Sequence, residues 1–338
     1  MINLYGDISP RTALKAAKMF LKVMQPLTVT QRYAQQDHQP QNSSQTRKWR
    51  RYENYPENKA SLSEGVTPPG HAITYTDVTA ILRQYGDRVN LTDVIQDTHE
   101  DPVLKIMTQR SAEQAAQTIE LITIDIIKAG TNVVYAGGAV SRTALVSELT
   151  RGDLRIAVRT LDRAIASPIA NIISPTAKVS TQGVEPAFYA MGHTDLEPDI
   201  RNITGFKSIV EYGNPANATP AEIGAVERVR FVLTQNFDSW EETATGASGQ
   251  STFLTAGASG TGSADVYPVI IVARDAYAVV RLQGRNAIRM MVLNPGIPRG
   301  GDEAGQRGSV AWKTWFAGVI LNESWLIRVE CLCTANPV

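Results

Sequence analysis

The segment DPVLKIMTQRSAEQAAQTIELITIDIIKAG, residues 101–130, carries the signals of one uninterrupted helix. Asp101 is an N-cap residue type, Pro102 suits the first helical position because its missing N–H has no partner there, and Gly130 is a natural stop. No proline or glycine falls between Val103 and Ala129. Leu104, Met107, Ser111, Ala115, Thr118, Ile122, Ile126 and Ala129 recur at steps of three and four, the spacing of one helix face, and form the expected buried stripe. At about 1.5 Å per residue the helix predicted for 102–129 is about 42 Å long, against about three turns for an average helix. A rod of that length with small residues midway supports elements laid across it, and it is called the spine below.

Downstream, Gly137 and Gly138 lead toward a second helix that follows Gly152 and Asp153 and ends by Pro168. Leu154, Val158, Leu161 and Ile165 make its expected buried face, while Arg151, Arg155, Arg159 and Arg163 stand at strict steps of four on its other side. Four arginines on one ridge suit phosphates, but the preferred reading is a solvated or inter-subunit face, with Asp153 and Asp162 near enough to pair. Short segments with turn residues run to about Gln235, consistent with a mixed sheet. Residues 269–272 are a continuous apolar run, which predicts a strand covered on both faces, with a helix expected from about Asp275. Residues 312–321 and 325–333 predict a terminal hairpin around Asn322, Glu323 and Ser324, packed on the spine.

Upstream, residues 1–35 read as an arm. Leu14, Ala17, Leu21 and Met24 share one face of a short helix beside Lys15, Lys18 and Lys22, suited to docking on protein or, alternatively, to targeting or a membrane surface. Residues 35–60 turn abruptly polar, too poor in aliphatics to fold alone, and contain Arg47, Lys48, Trp49, Arg50 and Arg51. Basic residues interleaved with Trp49 and Tyr52 suit phosphates and stacked bases. Glu53 and Glu57 follow at once, and the competing reading is a protruding loop that meets acids of another subunit. Past Pro68, Pro69 and Gly70, the alternation of Ile73, Tyr75, Val78, Ala80 and Leu82 predicts a long return strand, hence an extended hairpin ahead of the spine.

The 33 basic and 33 acidic side chains cancel to a formal net charge of +0, so no global field draws the molecule to nucleic acid or an anionic membrane. The lack of a long apolar run or a signal-type start predicts a cytosolic, non-membrane product. Cys331 and Cys333 fall on the apolar side of an alternating strand, as small buried hydrophobes rather than metal ligands. His38, His71, His99 and His193 have no ligand spacing. Gly257, Gly260 and Gly262 lack the strand, helix and Lys-Ser/Thr of a phosphate loop, so residues 239–265 are expected to be a flexible surface insertion. With no constellation of nucleophile, base and orienting group, no enzyme activity and no catalytic, cofactor or metal site is predicted.

An ordered set of short stretches carries a resemblance. These are Leu62-Ser63-Glu64-Gly65-Val66-Thr67-Pro68; residues 79–86 with Gln84-Tyr85-Gly86; Leu91-Thr92-Asp93; residues 189–200 with His193, Asp195 and Leu196; Ala221-Glu222-Ile223-Gly224 leading to Arg230-Phe231-Val232; and Gly318-Val319-Ile320-Leu321-Asn322. From about Leu62 onward the chain resembles the major capsid proteins of tailed bacteriophages, specifically the coat family typified by an N4-like podovirus. The resemblance implies an α+β chain with the Hong Kong 97-type capsid fold. Its parts would be an N-terminal arm (1–35), an extended β-hairpin loop (36–88), a peripheral domain (89–150 and 305–338) holding the spine, and an axial domain (151–304) holding the 239–265 insertion. It further implies a virion protein, assembled in the host cytoplasm into hexamers and pentamers of an icosahedral head around double-stranded DNA. The implied partners are copies of itself, portal, scaffold and decoration proteins, and DNA bound without sequence specificity.

On that reading, Arg47, Lys48, Trp49, Arg50, Arg51 and Glu64 of the loop and Glu113, Glu120 and Asp125 of the spine are the inter-subunit contact candidates. The ridge of Arg151, Arg155, Arg159 and Arg163 faces DNA or another subunit. Two alternatives are an encapsulin-like cellular shell and, in a different class, a monomeric nucleic-acid-binding protein using the same basic residues.

Overall fold

The structure, a computed structural model, describes residues 29–98, 103–169, 185–212, 219, 221–248, 252–255, 263–283, 288–298 and 300–335, apart from residues 63, 66 and 69. A 3-10 turn at Thr30–Arg32 leads to strands β1 (Gln35–Gln39), β2 (Thr46–Tyr52), β3 (Tyr75–Ile81) and β4 (Arg83–Thr92), then helices α1 (Asp93–Thr98) and α2 (Val103–Lys128). Strand β5 (Val133–Tyr135), helix α3 (Arg151–Arg163), β6 (Phe188–Gly192), helix α4 (Glu197–Asn202) and strands β7 (Phe206–Ser208), β8 (Glu222–Val226), β9 (Val229–Leu233) and β10 (Trp240–Ala244) follow. Last come β11 (Ala264–Val272), β12 (Tyr277–Leu282), β13 (Ile288–Leu293), β14 (Arg307–Ile320) and β15 (Leu326–Cys331). The lysine-lined helix expected at the start, His99, and Gly257, Gly260 and Gly262 lie outside the described residues.

The strands form three sheets. In the first, β1-β12-β14-β13 are adjacent and β4 also pairs with β14; in the second the order is β5-β15-β11-β6-β9-β8-β7 with β10 on β11; the third is the β2-β3 hairpin. All nine residues of β11 are buried, because this strand lies inside the larger sheet with cover on both faces, as its apolar run predicts. Leu154, Ala157 and Leu161 of α3 join Phe188, Phe231, Val269 and Ile271 in the core on one side of that sheet. On the other side Met191, Val232, Ile270 and Val272 pack against Ile124 and Ile127 of the spine.

The spine is present as α2, but its buried face is not the expected one. Thr108, Ser111, Ala112, Ala115, Ala116, Ile119, Glu120, Thr123, Ile124 and Ile127 are buried. Leu104, Met107, Thr118, Ile122 and Ile126 are only half-buried, and Ala129 is exposed. Size complementarity explains the rotation: Trp312 and Phe316 of β14 fill the space over Ala112, Ala115 and Ala116, so the helix turns its smallest side chains inward where large ones arrive.

Other expectations are corrected in the same way. The two C-terminal segments are not a hairpin. β14 belongs to the five-stranded sheet and β15 to the eight-stranded one, where it pairs with β11 and β5, and the 3-10 turn Glu323–Trp325 carries the chain between them. No helix starts at Asp275; that residue adopts φ 56°, a turn conformation, and the next element is β12. On α3, Val158 is half-buried and Ile165 is 79% exposed, because Ala157 takes the buried position and the helix ends at Arg163. Within the 239–265 tract, Trp240–Ala244 is a strand on β11, and Ala244, Ala247 and Phe253 are buried, so these residues belong to the body rather than to a surface insertion.

Two glycines of the motif stretches owe their identity to close strand approach. A Cβ at Gly86 would meet the Trp312 carbonyl oxygen at 2.5 Å, where β4 lies on β14, and one at Gly224 would meet the Lys207 carbonyl oxygen at 2.4 Å, where β8 lies on β7. Gly86→Ala is expected to cost about 1–3 kcal/mol by forcing the two strands apart, read as a lower urea midpoint for the unassembled chain.

Candidate assembly surface

The predicted projecting loop is narrower than residues 36–88. β1 runs parallel to β12, and β4 is paired with β14 along its whole length, so both ends of that stretch are woven into the five-stranded sheet. What projects is the β2-β3 hairpin and the loop joining its strands; every described residue from 53 to 74 is exposed. Glu64 lies on that loop. Tyr52, Tyr55, Leu62, Ile73, Tyr75 and Ile81 are each more than half exposed.

Register places the basic cluster opposite acids of the same chain. Arg50 faces Asp77 across the hairpin, and its Nε and Nη2 donate to the two carboxylate oxygens at 2.8 and 3.1 Å, with Lys48 Nζ at 3.1 Å. Arg47 Nε donates to Asp37 at 2.7 Å, tying β2 to β1, and Arg51 pairs with Glu53. The Arg50 guanidinium also lies 4.0 Å from the Tyr75 ring centroid. The hydrogen bonds from Arg50 and Lys48 pull the Asp77 carboxyl down to about 2. The stability this pairing contributes is present above the ordinary carboxylate pKa and is lost only as pH falls toward about 2. Exposed pairs of this kind add little net stability, and their main effect is to hold long side chains in fixed positions.

Trp49 is not free for a neighbour. It is half-buried against Ala80, Leu82, Val280 and Ala317, seating the hairpin base on the body. Further out, Arg51–Asn54 border an open cleft of about 490 Å³ whose opposite wall includes Ile165 and Trp325. The spine acids divide. Glu113 pairs with Arg110 at 2.6 Å and Asp125 is exposed, whereas Glu120 is 0% exposed. Glu120 is therefore corrected from a surface acid to an internal one; the pattern reading placed it on the polar side because the helix phase was off by about a quarter turn.

The arginine ridge is half neutralised. Arg151 and Arg155 both reach Glu227, at 2.6 and 2.7 Å, which holds its carboxyl below the ordinary range. Neither of the expected local partners serves the ridge. Asp153 is buried in a capping box with Thr150, and Asp162 pairs with Arg228. Arg159 and Arg163 are exposed, and among the described residues no acid lies within salt-bridge distance of either.

A third polar group was not foreseen. Glu330 is 0% exposed in β15, where Arg142 Nε and Nη2 reach it at 2.6 and 2.7 Å and Arg328 Nε at 2.8 Å. Arg328 Nη1 also donates to the carbonyls of Lys128 and Gly130, fastening the C-terminal end of the spine to the sheet. Arg142, Lys128 and Arg328 surround the Trp240 ring with their charged ends 3.7, 4.7 and 5.6 Å from its centroid. The alternation of Arg328 and Glu330 with apolar residues reads as an exposed polar face in isolation. A like-spaced acid and base in one strand is the signal that an internal pair was available instead.

A family model described as phage capsid protein matches residues 75–329. The chain belongs to this family. Among solved structures, this capsid protein is similar to the capsid of Ralstonia phage GP4, with a TM-score of 0.65 at 12% identity, covering 90% of this chain and 89% of that one. It is also similar to the head protein of Helicobacter pylori bacteriophage KHP40, with a TM-score of 0.61 at 9% identity over 92% and 91% of the two chains. The capsid of cyanophage P-SCSP1u gives 0.57 at 13% identity over 90% and 88%. No curated protein matches the sequence. The shared fold is the Hong Kong 97-type, and family and fold together support a major capsid protein of a tailed phage. Among the described residues of this capsid protein, no group of three or more His, Cys, Asp or Glu is placed to hold a metal ion, and no helix is long and apolar enough to cross a membrane. Cys331 and Cys333 are both buried free thiols.

Proposed function

We propose that copies of this capsid protein associate into the hexamers and pentamers of an icosahedral head that encloses double-stranded DNA. Its place is then the virion, after assembly in the host cytoplasm, and its work is adhesion rather than catalysis. The observation that carries the reading is the projecting hairpin: a long loop with Tyr52, Tyr55, Leu62, Ile73 and Tyr75 all turned to solvent, which no other part of the described residues covers. A neighbouring copy would bury these residues, and ring closure lets individually weak contacts add up.

In this scheme residues 1–35 are the arm and the extended loop narrows to the hairpin of about 46–81. Residues 89–150 with 305–338 are the core of the peripheral domain and 151–304 of the axial domain, with β12 and β13 lent to the sheet of β4 and β14, and β5 and β15 to the sheet of β11. Arg50, Arg51, Glu64, Glu113 and Asp125 remain the inter-subunit candidates. Arg159 and Arg163 are the candidates for contact with DNA phosphates or with an acidic face of another copy, without sequence specificity. Portal, scaffold and decoration proteins are the expected further partners. Negative-stain electron microscopy of the purified full chain is expected to show closed shells or capsomer rings. A homogeneous monomer at high protein concentration would refute the assembly reading.

A further inference from the structure

The segment Val29–Tyr33 is fastened into the body by polar contacts to a charge-bearing group that the assembly surface does not use. Val29 N and Thr30 N donate to Glu120 Oε1 at 3.2 and 3.0 Å, and Thr30 Oγ1 donates to Oε2 at 2.8 Å. Glu120 sits in the C-terminal half of α2 with 0% exposure, and among the described residues no cation lies within salt-bridge distance of it. Among the described residues the groups facing this junction are few, and Arg32, on the segment itself, is exposed. From β12, the Tyr277 hydroxyl donates to the Thr30 carbonyl, and the Arg281 guanidinium is spent on the Gln31 side chain rather than on Glu120. Tyr33, stacked on Tyr189 with ring centroids 4.4 Å apart, bonds Thr219, whose N–H and hydroxyl donate to another buried acid, Glu222. On α2 itself Asp125 is exposed, and Lys128 donates to the Asp238 carbonyl.

Among the described residues an ionised carboxylate here has three neutral donors and no counter-charge, so its loss of water is only partly offset. We propose that Glu120 makes the root of the N-terminal arm a proton-dependent latch, held when the carboxyl is neutral and loosened when it is ionised. A neutral carboxyl still suits the site, since one oxygen accepts from Val29 and Thr30 while the other, protonated, donates to the Thr30 hydroxyl. Burial pushes the Glu120 carboxyl up, against the hydrogen bonds from Thr30 and Val29 that pull it down. The docked root therefore holds a proton more tightly than the released one. Its contribution is full below the unfolded carboxyl pKa and fades as pH rises through the folded value.

The test is amide hydrogen exchange of the unassembled full chain from about pH 5 to about pH 8, with protection at Val29 and Thr30 corrected for intrinsic exchange at each pH. Wild-type protection at these amides is expected to fall about tenfold across the range, while Glu120→Gln, whose carboxamide reproduces both acceptor and donor roles, stays flat at the acid-side level. A flat wild-type profile, or a slope that Glu120→Gln leaves intact, overturns the proposal. If Glu120→Gln does not fold, Thr30→Val decides: loss of the hydroxyl donor moves the midpoint to higher pH, and an unmoved midpoint overturns the latch.

Discussion

Glu330→Ala lowers the stability of the unassembled chain by about 3–5 kcal/mol, read from the urea or guanidinium midpoint. The size follows from what the substitution leaves behind. Glu330 is wholly buried and answers two guanidinium groups, with Arg328 only 12% exposed and Arg142 28% exposed at their side chains. Removing one acid strands both cations, and the penalty for an uncompensated buried charge exceeds what the intact network contributes over an apolar equivalent. The effect reaches the spine as well, because Arg328 is the donor that satisfies the Lys128 and Gly130 carbonyls at the open end of α2. Arg142→Ala, which leaves Glu330 still bonded to Arg328, is expected to cost less. Equal losses for the two variants would mean that the three groups act as a single unit, and a loss of less than about 1 kcal/mol for Glu330→Ala would show that water reaches the site.

Much of the scaffold was legible locally, and the failures share one cause. Gly130 marks the spine's stop, and α2 runs Val103–Lys128 within the predicted 102–129, while the expected start at Asp101 and Pro102 lies outside the described residues. The strand at residues 269–272 and the burial of Cys331 and Cys333 follow from apolarity alone. What periodicity does not carry is the identity of the partner. Helix phase was set by Trp312 and Phe316 arriving from a strand about two hundred positions away, which makes alanine the right inward residue. Residues 312–321 and 325–333 look like neighbours in a hairpin because they are adjacent in sequence, yet each has a better-matched sheet elsewhere. The same gap limited the candidate site. Arg47, Lys48, Arg50 and Arg51 were visible as a cluster, and Glu53 lies beside Arg51 in sequence, but Asp77 is brought to Lys48 and Arg50 by strand register and Asp37 to Arg47 by tertiary packing, which no single-strand pattern specifies.

That register also changes how the hairpin must be tested. Reversing Arg50 and Arg51 alone would set like charges against Asp77 and Glu53 inside one hairpin, so a lost shell could reflect a broken loop rather than a broken contact. Replacing residues 54–73 by Asn-Gly avoids the confusion. The two-residue turn suits an antiparallel pair, the Tyr52 and Tyr75 pairing and the Glu53 N–H to Thr74 carbonyl bond lie outside the excised piece, and every described residue removed is exposed. The truncated chain is therefore expected to keep its unfolding midpoint while its yield of closed particles falls at least about tenfold, because each copy loses its reach to the next and multivalent closure amplifies the loss. A charge swap, Arg50→Asp and Lys48→Glu with Asp77→Arg, then separates sign from structure, since both cations bond Asp77. It keeps opposite charges paired within the hairpin, so a folded chain that no longer assembles places the attraction of Lys48 and Arg50 across the subunit boundary, whereas normal particles from the swap leave the apolar tip as the part that grips.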